Sequence, residues 1–291
     1  MNFSYLTRII SLLVLACLLQ ACSAAKLAYN QAPELAYWYL DGYVDFSSDQ
    51  SAQVKDDLSK LQTWHRQTQL PTYIDTLQKL QQTILLDVTA QDTCNILSDA
   101  RRKFMLVSDQ AQPAVMTMLD KLTASQIDTL ARKFDKGNAD FRRDYLQAAK
   151  PTNQGKRYKQ AVSRAEMLYG RLDDMQLALI AGQVEKSRFN ATLAYAERQR
   201  RQQDTLQTLR SLLNTQTTPD QKKLAIQALF ERLLISTNPN YANYADALTK
   251  ESCMNVADLH NTTSVSQRRK AVETLVGYER DMKTLSGQGH S

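Results

Sequence analysis

Apolar residues recur along this chain at spacings of three and four, and no stretch sustains the period-two alternation of a half-buried strand. Ile127, Leu130, Phe134, Phe141 and Tyr145 form one stripe; Tyr158, Val162, Ala165, Tyr169 and Leu172 a second; Leu224, Ala228, Leu229 and Leu233 a third. Each is the face an amphipathic helix buries in a bundle. Five segments read as helix starts of one type, cap-x-x-Gln: Ser47 to Gln50, Thr123 to Gln126, Asp173 to Gln176, Thr218 to Gln221 and Ser264 to Gln267. In such a capping box the Ser, Thr or Asp oxygen accepts from the third helical amide, while the glutamine reaches back to the cap amide. Pro219 suits the first helical position, where its missing N–H costs nothing. Pro33, Pro71, Pro113 and Pro239 are expected at helix starts as well, and Pro151 at a break or kink. The expectation is an all-α, elongated bundle of about nine or ten helices. The boxes lie 76, 50, 45 and 46 residues apart, a faint hint of repeated helical hairpins and too weak for a solenoid.

Composition agrees with that class. The 291 residues hold only 8 Gly and 6 Pro, too few for the tight turns of a β-sandwich or for a collagen-like or low-complexity chain. Residues 1–21 read as a targeting segment, with Arg8 before the apolar run Ile9–Leu19 (IISLLVLACLL). A run of eleven residues, apolar but for Ser11, makes a signal-peptide core but falls short of the roughly 20 that span a bilayer. The run ends in Leu19-Gln20-Ala21-Cys22-Ser23, which resembles the lipobox of bacterial lipoproteins; Gln20 is less usual in that motif, and Cys17 is a weaker alternative. The resemblance implies cleavage before Cys22 and lipidation of Cys22 on its sulfur and its new amino group. An ordinary secretory signal with a chance cysteine is the plain alternative. Ser23 after the lipidated residue looks like the pattern sorted to the outer membrane, so the expected location is its periplasmic face, with the inner membrane second. The expected layout is a signal over 1–21, a lipidated cysteine and tether over 22–30, one helical domain over 31–285 and a frayed tail over 286–291. With Cys17 removed and Cys22 acylated, Cys94 and Cys253 remain, and an even remainder in an exported chain favours one disulfide over two buried thiols.

Charge is unevenly placed. Residues 22–100 hold 5 basic and 10 acidic groups, residues 101–210 hold 21 and 12, and residues 211–291 hold 9 and 8. In the basic middle, Lys136, Arg143, Lys150, Arg157, Arg164 and Arg171 recur every seven residues, interrupted by Pro151 and Gly155. Lys136, Arg143, Arg157, Arg164 and Arg171 form the candidate binding surface. The partners it suggests are an anionic envelope polymer, acidic lipid headgroups or an envelope protein, besides the membrane itself through the anchor; nucleic acid is implausible outside the cytoplasm. A plain solvated helix face offsetting the acidic first third is the competing reading.

Three segments carry a wider likeness: Ala28-Tyr29-Asn30 with Ala36–Tyr43 and Gln50; Lys156-Arg157-Tyr158 with Arg164-Ala165-Glu166 and Tyr169–Asp174; and Leu259–Thr263 with Gln267-Arg268, Ala271-Val272-Glu273 and Gly277-Tyr278-Glu279. With the lipobox they resemble an uncharacterised family of Gram-negative envelope lipoproteins known only as a domain of unknown function. That resemblance implies a helical, lipid-anchored protein and no activity. Leu122-Thr123-Ala124-Ser125-Gln126 is similar to the Leu-Thr-x-x-Gln motif of Spy- and CpxP-type periplasmic chaperones, which are much shorter chains.

No catalytic or metal motif emerges. The three histidines, His65, His260 and His290, are far apart, and no HExxH, G-x-S-x-G or P-loop is present, so no metal or cofactor is implied. His260 ends a helix, where a protonated imidazole would serve as a structural cap. Asp41, Asp45 and Asp49 recur every four residues and are read as turn and surface groups before a cation site. The aromatic run Tyr29, Tyr37, Trp38, Tyr39, Tyr43 and Phe46 is expected to pack the first helix into the core, the alternative being rings at lipid-headgroup level. The chain therefore reads as a tethered, non-enzymatic binding protein, with a chaperone second and an envelope hydrolase with a non-local site third.

Overall fold

The computed structural model describes residues 26–147, 149–213 and 217–287, so the signal segment, Cys22 and His290 lie outside the described residues. Among those residues, besides the helical stretch 26–30, there are eleven α-helices and no strand. They are α1 (Ala32–Val44), α2 (Ser48–Trp64), α3 (Leu70–Thr83), α4 (Ala90–Leu119), α5 (Ala124–Phe141), α6 (Lys150–Tyr169), α7 (Asp174–Lys186), α8 (Ala191–Leu212), α9 (Pro219–Leu234), α10 (Pro239–Asn261) and α11 (Val265–Ser286). π-Helical turns at His65–Gln69 and Arg142–Leu146 join α2 to α3 and follow α5. The tether expected over 22–30 is already helical from Lys26, and Lys26 lies 3.5 Å from the buried Asp281 of α11.

All five cap-x-x-Gln starts form complete capping boxes. A sixth opens α4, where Thr89 pairs with Asp92; its shorter acidic third residue hid it from a search for glutamine. Four of the glutamines do more than cap. Gln50 and Gln126 exchange amide bonds, Nε2 of each donating to Oε1 of the other at 3.2 and 2.6 Å. The second hydrogen of Gln50 Nε2 goes to Lys121 O at 2.7 Å, and that of Gln126 Nε2 to Asp45 O at 3.1 Å. Gln176 and Gln267 repeat the arrangement at 2.9 and 2.8 Å, with Thr262 O and Arg171 O as the carbonyls. In all four the carbonyl belongs to the residue two before the partner's cap. Each amide thus fills both acceptor sites and both donor sites, which lets Gln50, Gln126 and Gln176 stay buried without cost from unmade bonds, Gln267 being half-buried. These two amide clasps bind α2 to α5 and α7 to α11. The second passes over the Thr218 box, so the spacing near 45 residues does not mark a stacked repeat.

The apolar interior is divided. Ala165, Tyr169, Leu172, Ile180, Leu259 and Ala271 form one cluster among α6, α7, α10 and α11. Leu119, Leu212, Ile226 and Leu229 form the other among α4, α8 and α9. The α9 stripe is therefore rotated from expectation: Ile226 is buried with Leu229, while Leu224 is exposed. Pro113 is also misplaced by the sequence reading, since it sits inside the 30-residue α4. Val115, Met116 and Leu119, in the turns that follow the proline, pack into the second cluster, and this tertiary contact holds the helix past the gap its ring leaves in the hydrogen-bond ladder. Pro33, Pro71, Pro151 and Pro239 each fall in a first helical turn.

Cys94 of α4 and Cys253 of α10 form a disulfide, with Cα atoms 5.3 Å apart and a sequence separation of 159. A loop that long corresponds to about 5 kcal/mol of lost denatured-state entropy in the chain-closure picture. The loop between α3 and α4 is tied to the C-terminal helices by His260 Nε2 to Leu86 O, by Arg268 to Leu85 O and Asp87, and by Asn261, whose amide makes two bonds to the Val88 backbone. Gln78 and Gln81 of α3 donate to Glu279 of α11, which Lys283 also pairs. Between α8 and α9 the buried Glu197 accepts from Arg200, Arg201 and Ser236, and Arg232 forks onto Asp204.

Candidate functional site

A cleft of about 450 Å³ opens where α6, α7 and α10 meet. Its floor is the exposed side of the first apolar cluster, including Leu168, Ile180, Val184 and Leu259. Its polar rim comes from three helices: Arg157, Gln160 and Arg164 on α6, Gln183 on α7, and Glu251, Ser252 and Asn255 on α10. Arg157 and Arg164 are seven residues apart, two helical turns, which places both on the same side of α6.

Arg157 is the most constrained group in the cleft. Its Nη2 donates to Ser187 Oγ at 2.7 Å, and its guanidinium lies 4.7 Å from the centre of the Phe189 ring. No Asp or Glu among the described residues forms an ion pair with it. Burial lowers its pKa from the ordinary arginine value, against the pull of Glu251; it remains a cation at any physiological pH. Glu251 is engaged elsewhere, accepting from the Arg188 amide at 2.9 Å. The result is a half-buried, stacked guanidinium with spare donors facing an apolar floor. Such a fork accepts a carboxylate or phosphate with two parallel bonds.

The rest of the predicted basic surface does not assemble there. Arg143 is neutralised by Asp140 and Asp144 at 2.7 and 3.1 Å. Lys136 is exposed on α5 and Arg171 in the turn before α7, and neither lines the cleft. The side chain of Lys150 lies outside the described residues. The seven-residue period is broken by the π-helical turn at Arg142–Leu146 and the start of α6, so one register cannot run from Lys136 to Arg171. Sequence reasoning missed Ser187, Phe189 and Glu251, which come from other elements and have no local signature.

The two described histidines, His65 and His260, are held in the packing. His260 is buried, its Nε2 donating to Leu86 O at 2.7 Å and its Nδ1 3.0 Å from Tyr169 Oη. A carbonyl can only accept, so Nε2 carries the proton and the Tyr169 hydroxyl donates to Nδ1 of a neutral ring. Burial lowers the His260 pKa and pushes the Tyr169 phenol up to about 12. The expected protonated cap is thus overturned: desolvation outweighs the helix C-terminus. His65 is held the same way between Tyr29 at 2.9 Å and Tyr73 at 3.3 Å, and burial lowers it as well. Asp41 accepts from the Phe46 amide, Asp45 ends α1 in a left-handed conformation, and Asp49 begins α2. Among the described residues no group of three or more His, Cys, Asp or Glu could hold a metal, and no helix is long and apolar enough to cross a membrane.

Comparison with known proteins adds one finding. No curated protein and no solved structure matches the chain. Residues 42–228, from the end of α1 into α9, match a family of unknown function, DUF6279, which covers the Arg157 side of the cleft but not its α10 wall. The match extends over more than half of the sequence, and the chain belongs to the DUF6279 family.

Proposed function

We propose that this chain is a lipid-anchored envelope protein, held at the periplasmic face of the outer membrane by Cys22, that binds and does not catalyse. Its ligand is an anionic envelope component with an apolar portion, seated in the α6–α7–α10 cleft. The observation that carries the reading is Arg157: a half-buried guanidinium without an ion-paired carboxylate, stacked on Phe189 above an apolar floor. A charge kept in such a place costs desolvation that an incoming anion would offset. The cleft offers no acid–base pair, because Tyr169 is held far above neutrality and Glu251 caps the Arg188 amide. The lipobox at Cys22, the apolar run before it and the Cys94–Cys253 disulfide support an exported, oxidising setting. In the Leu-Thr-x-x-Gln segment that resembles chaperones, Gln126 is consumed by its cap and by the clasp to Gln50, so the motif is explained by helix capping.

Purified lipidated protein should bind phosphate-bearing lipopolysaccharide or carboxylate-bearing muropeptides by calorimetry, with Arg157→Gln weakening binding at least tenfold and leaving the melting temperature nearly unchanged. Equal binding by parent and variant would reject the cleft. Suppression of aggregation of an unrelated client at near-stoichiometric ratio would favour the chaperone reading instead.

A further inference from the structure

The first helix is poorly used by the fold. None of the thirteen residues of α1 is buried. One side holds it in place: Tyr37 stacks on Phe46 and donates to Ser51, and Tyr43 meets Phe134 edge-on. The side carrying Leu35 and Trp38 is apolar and faces outward, with Tyr39 at its edge, its ring 5.0 Å from that of Tyr43. Trp38 is 76% exposed, Tyr39 59% and Leu35 56%, and Leu27 in the preceding turn is 63% exposed. Leu35, Trp38 and Tyr39 follow the i, i+3, i+4 spacing, and Gly42, one turn further, has open space around it. The core packing expected of the aromatic run therefore fails for its two most exposed rings. An outward leucine, tryptophan and tyrosine side by side on one helical face make a contiguous apolar patch of the kind that marks an interaction surface.

The place of this face in the chain indicates what that surface is. Only three residues separate Cys22 from Lys26, so the described chain begins within about 14 Å of the acylated sulfur. From Lys26 to Trp38 the helical rise adds about 18 Å. Charge does not supply the attraction, since the first third of the chain is net acidic; Glu34 is taken by Lys55 and Asp41 by the Phe46 amide. What remains is aromatic and aliphatic surface of the kind favoured at the level of lipid headgroups.

We propose that the Leu27–Leu35–Trp38–Tyr39 face of α1 lies in the headgroup layer of the phospholipid leaflet that holds the anchor, so that the protein rests on its first helix with α1 along the membrane plane. This inference depends on the anchored reading of Cys22. The apolar face would then fix the orientation that the acyl chains alone leave free.

The chain has two tryptophans, so Trp64→Phe leaves Trp38 as the sole indole. The full, lipidated variant is reconstituted into phosphatidylethanolamine–phosphatidylglycerol vesicles with and without brominated acyl chains. Trp38 emission should lose more than half its intensity to the brominated lipid, resist acrylamide, and be unaffected by high salt. Adding Leu27→Asp and Leu35→Asp, both at exposed positions, should restore acrylamide access. Free quenching by acrylamide with no bromine effect overturns the proposal. Shielding from both quenchers also overturns it, because a second copy would then cover the face. Palmitate labelling of the same preparation separates the two claims: an unlabelled Cys22 with a bromine-quenched indole removes the anchor and keeps the face, and a labelled Cys22 with a free indole does the reverse.

Discussion

Changing Gln176 to glutamate tests whether the amide clasps hold this bundle together. The substitution alters no volume, and glutamate is as good a capping-box residue as glutamine. At Gln176, which is 1% exposed, it removes both donors. Thr262 O loses its 3.2 Å partner and Gln267 Oε1 loses its 2.9 Å partner. Gln267 cannot rotate its amide to compensate, because its Oε1 must also accept from the Ser264 amide at 2.9 Å. Two stranded acceptors at about 1–3 kcal/mol each give a loss of about 4 kcal/mol. For a domain of this size that lowers the melting temperature by about 8–16 °C. The identical change at Gln221 provides the contrast. That residue caps α9 with a 2.9 Å bond from the Thr218 amide, but it is exposed and joins no clasp. A carboxylate there keeps its bond and complements the helix N-terminus, so stability should move by less than about 0.5 kcal/mol. The pH dependence has a definite sign. A buried carboxylate facing acceptor oxygens has a raised folded-state pKa, and its protonated form can donate again. The folded Gln176→Glu protein then binds more protons than the unfolded chain, so its deficit is full above the folded pKa and shrinks as pH falls through it. Thermal melts followed by circular dichroism decide the matter. A Gln176→Glu melt within about 2 °C of the parent, or an equal loss at Gln221→Glu, would refute the clasp as a source of stability.

Other perturbations bear on different links. Intact mass should rise by two protons on reduction, and Cys94→Ser should lower stability by up to about 5 kcal/mol; an unchanged mass would reject the disulfide. Glu197→Ala should cost about 1–3 kcal/mol, because it removes the carboxylate shared by Arg200 and Arg201, both partly exposed, while Arg200 keeps Asp204; urea titration measures it. Lys283, Gln81 and Gln78 hold Glu279 down to about 2 from an ordinary 4.5. Its contribution is therefore present above pH 4.5 and is lost as pH falls towards 2, so Glu279→Gln should flatten that acid limb of the stability curve. A parent and variant with the same acid limb would remove Glu279 as the seam between α3 and α11.

The local chemistry of this protein was written in its residues. Helix starts followed from a cap oxygen and a glutamine three positions on, since both partners of a capping box lie within one turn. The all-α class followed from periodicity, and the pairing of Cys94 with Cys253 from the small number of cysteines left. Where several remote contacts compete, local rules ran out. Pro113 sits within α4 because core packing of the turns that follow it outweighs one missing hydrogen bond, and His260 is neutral because burial outweighs a helix terminus. The basic period promised one continuous face, yet Lys136, Arg143 and Arg171 stay out of the cleft that Arg157 and Arg164 line, and Arg157 is fixed there by Ser187 and Phe189 from the α7–α8 connection. The clasps could not be foreseen either. A glutamine shows in sequence that it can cap its own helix, but which second helix takes its remaining hydrogen is decided only when the chain folds and two helix starts meet.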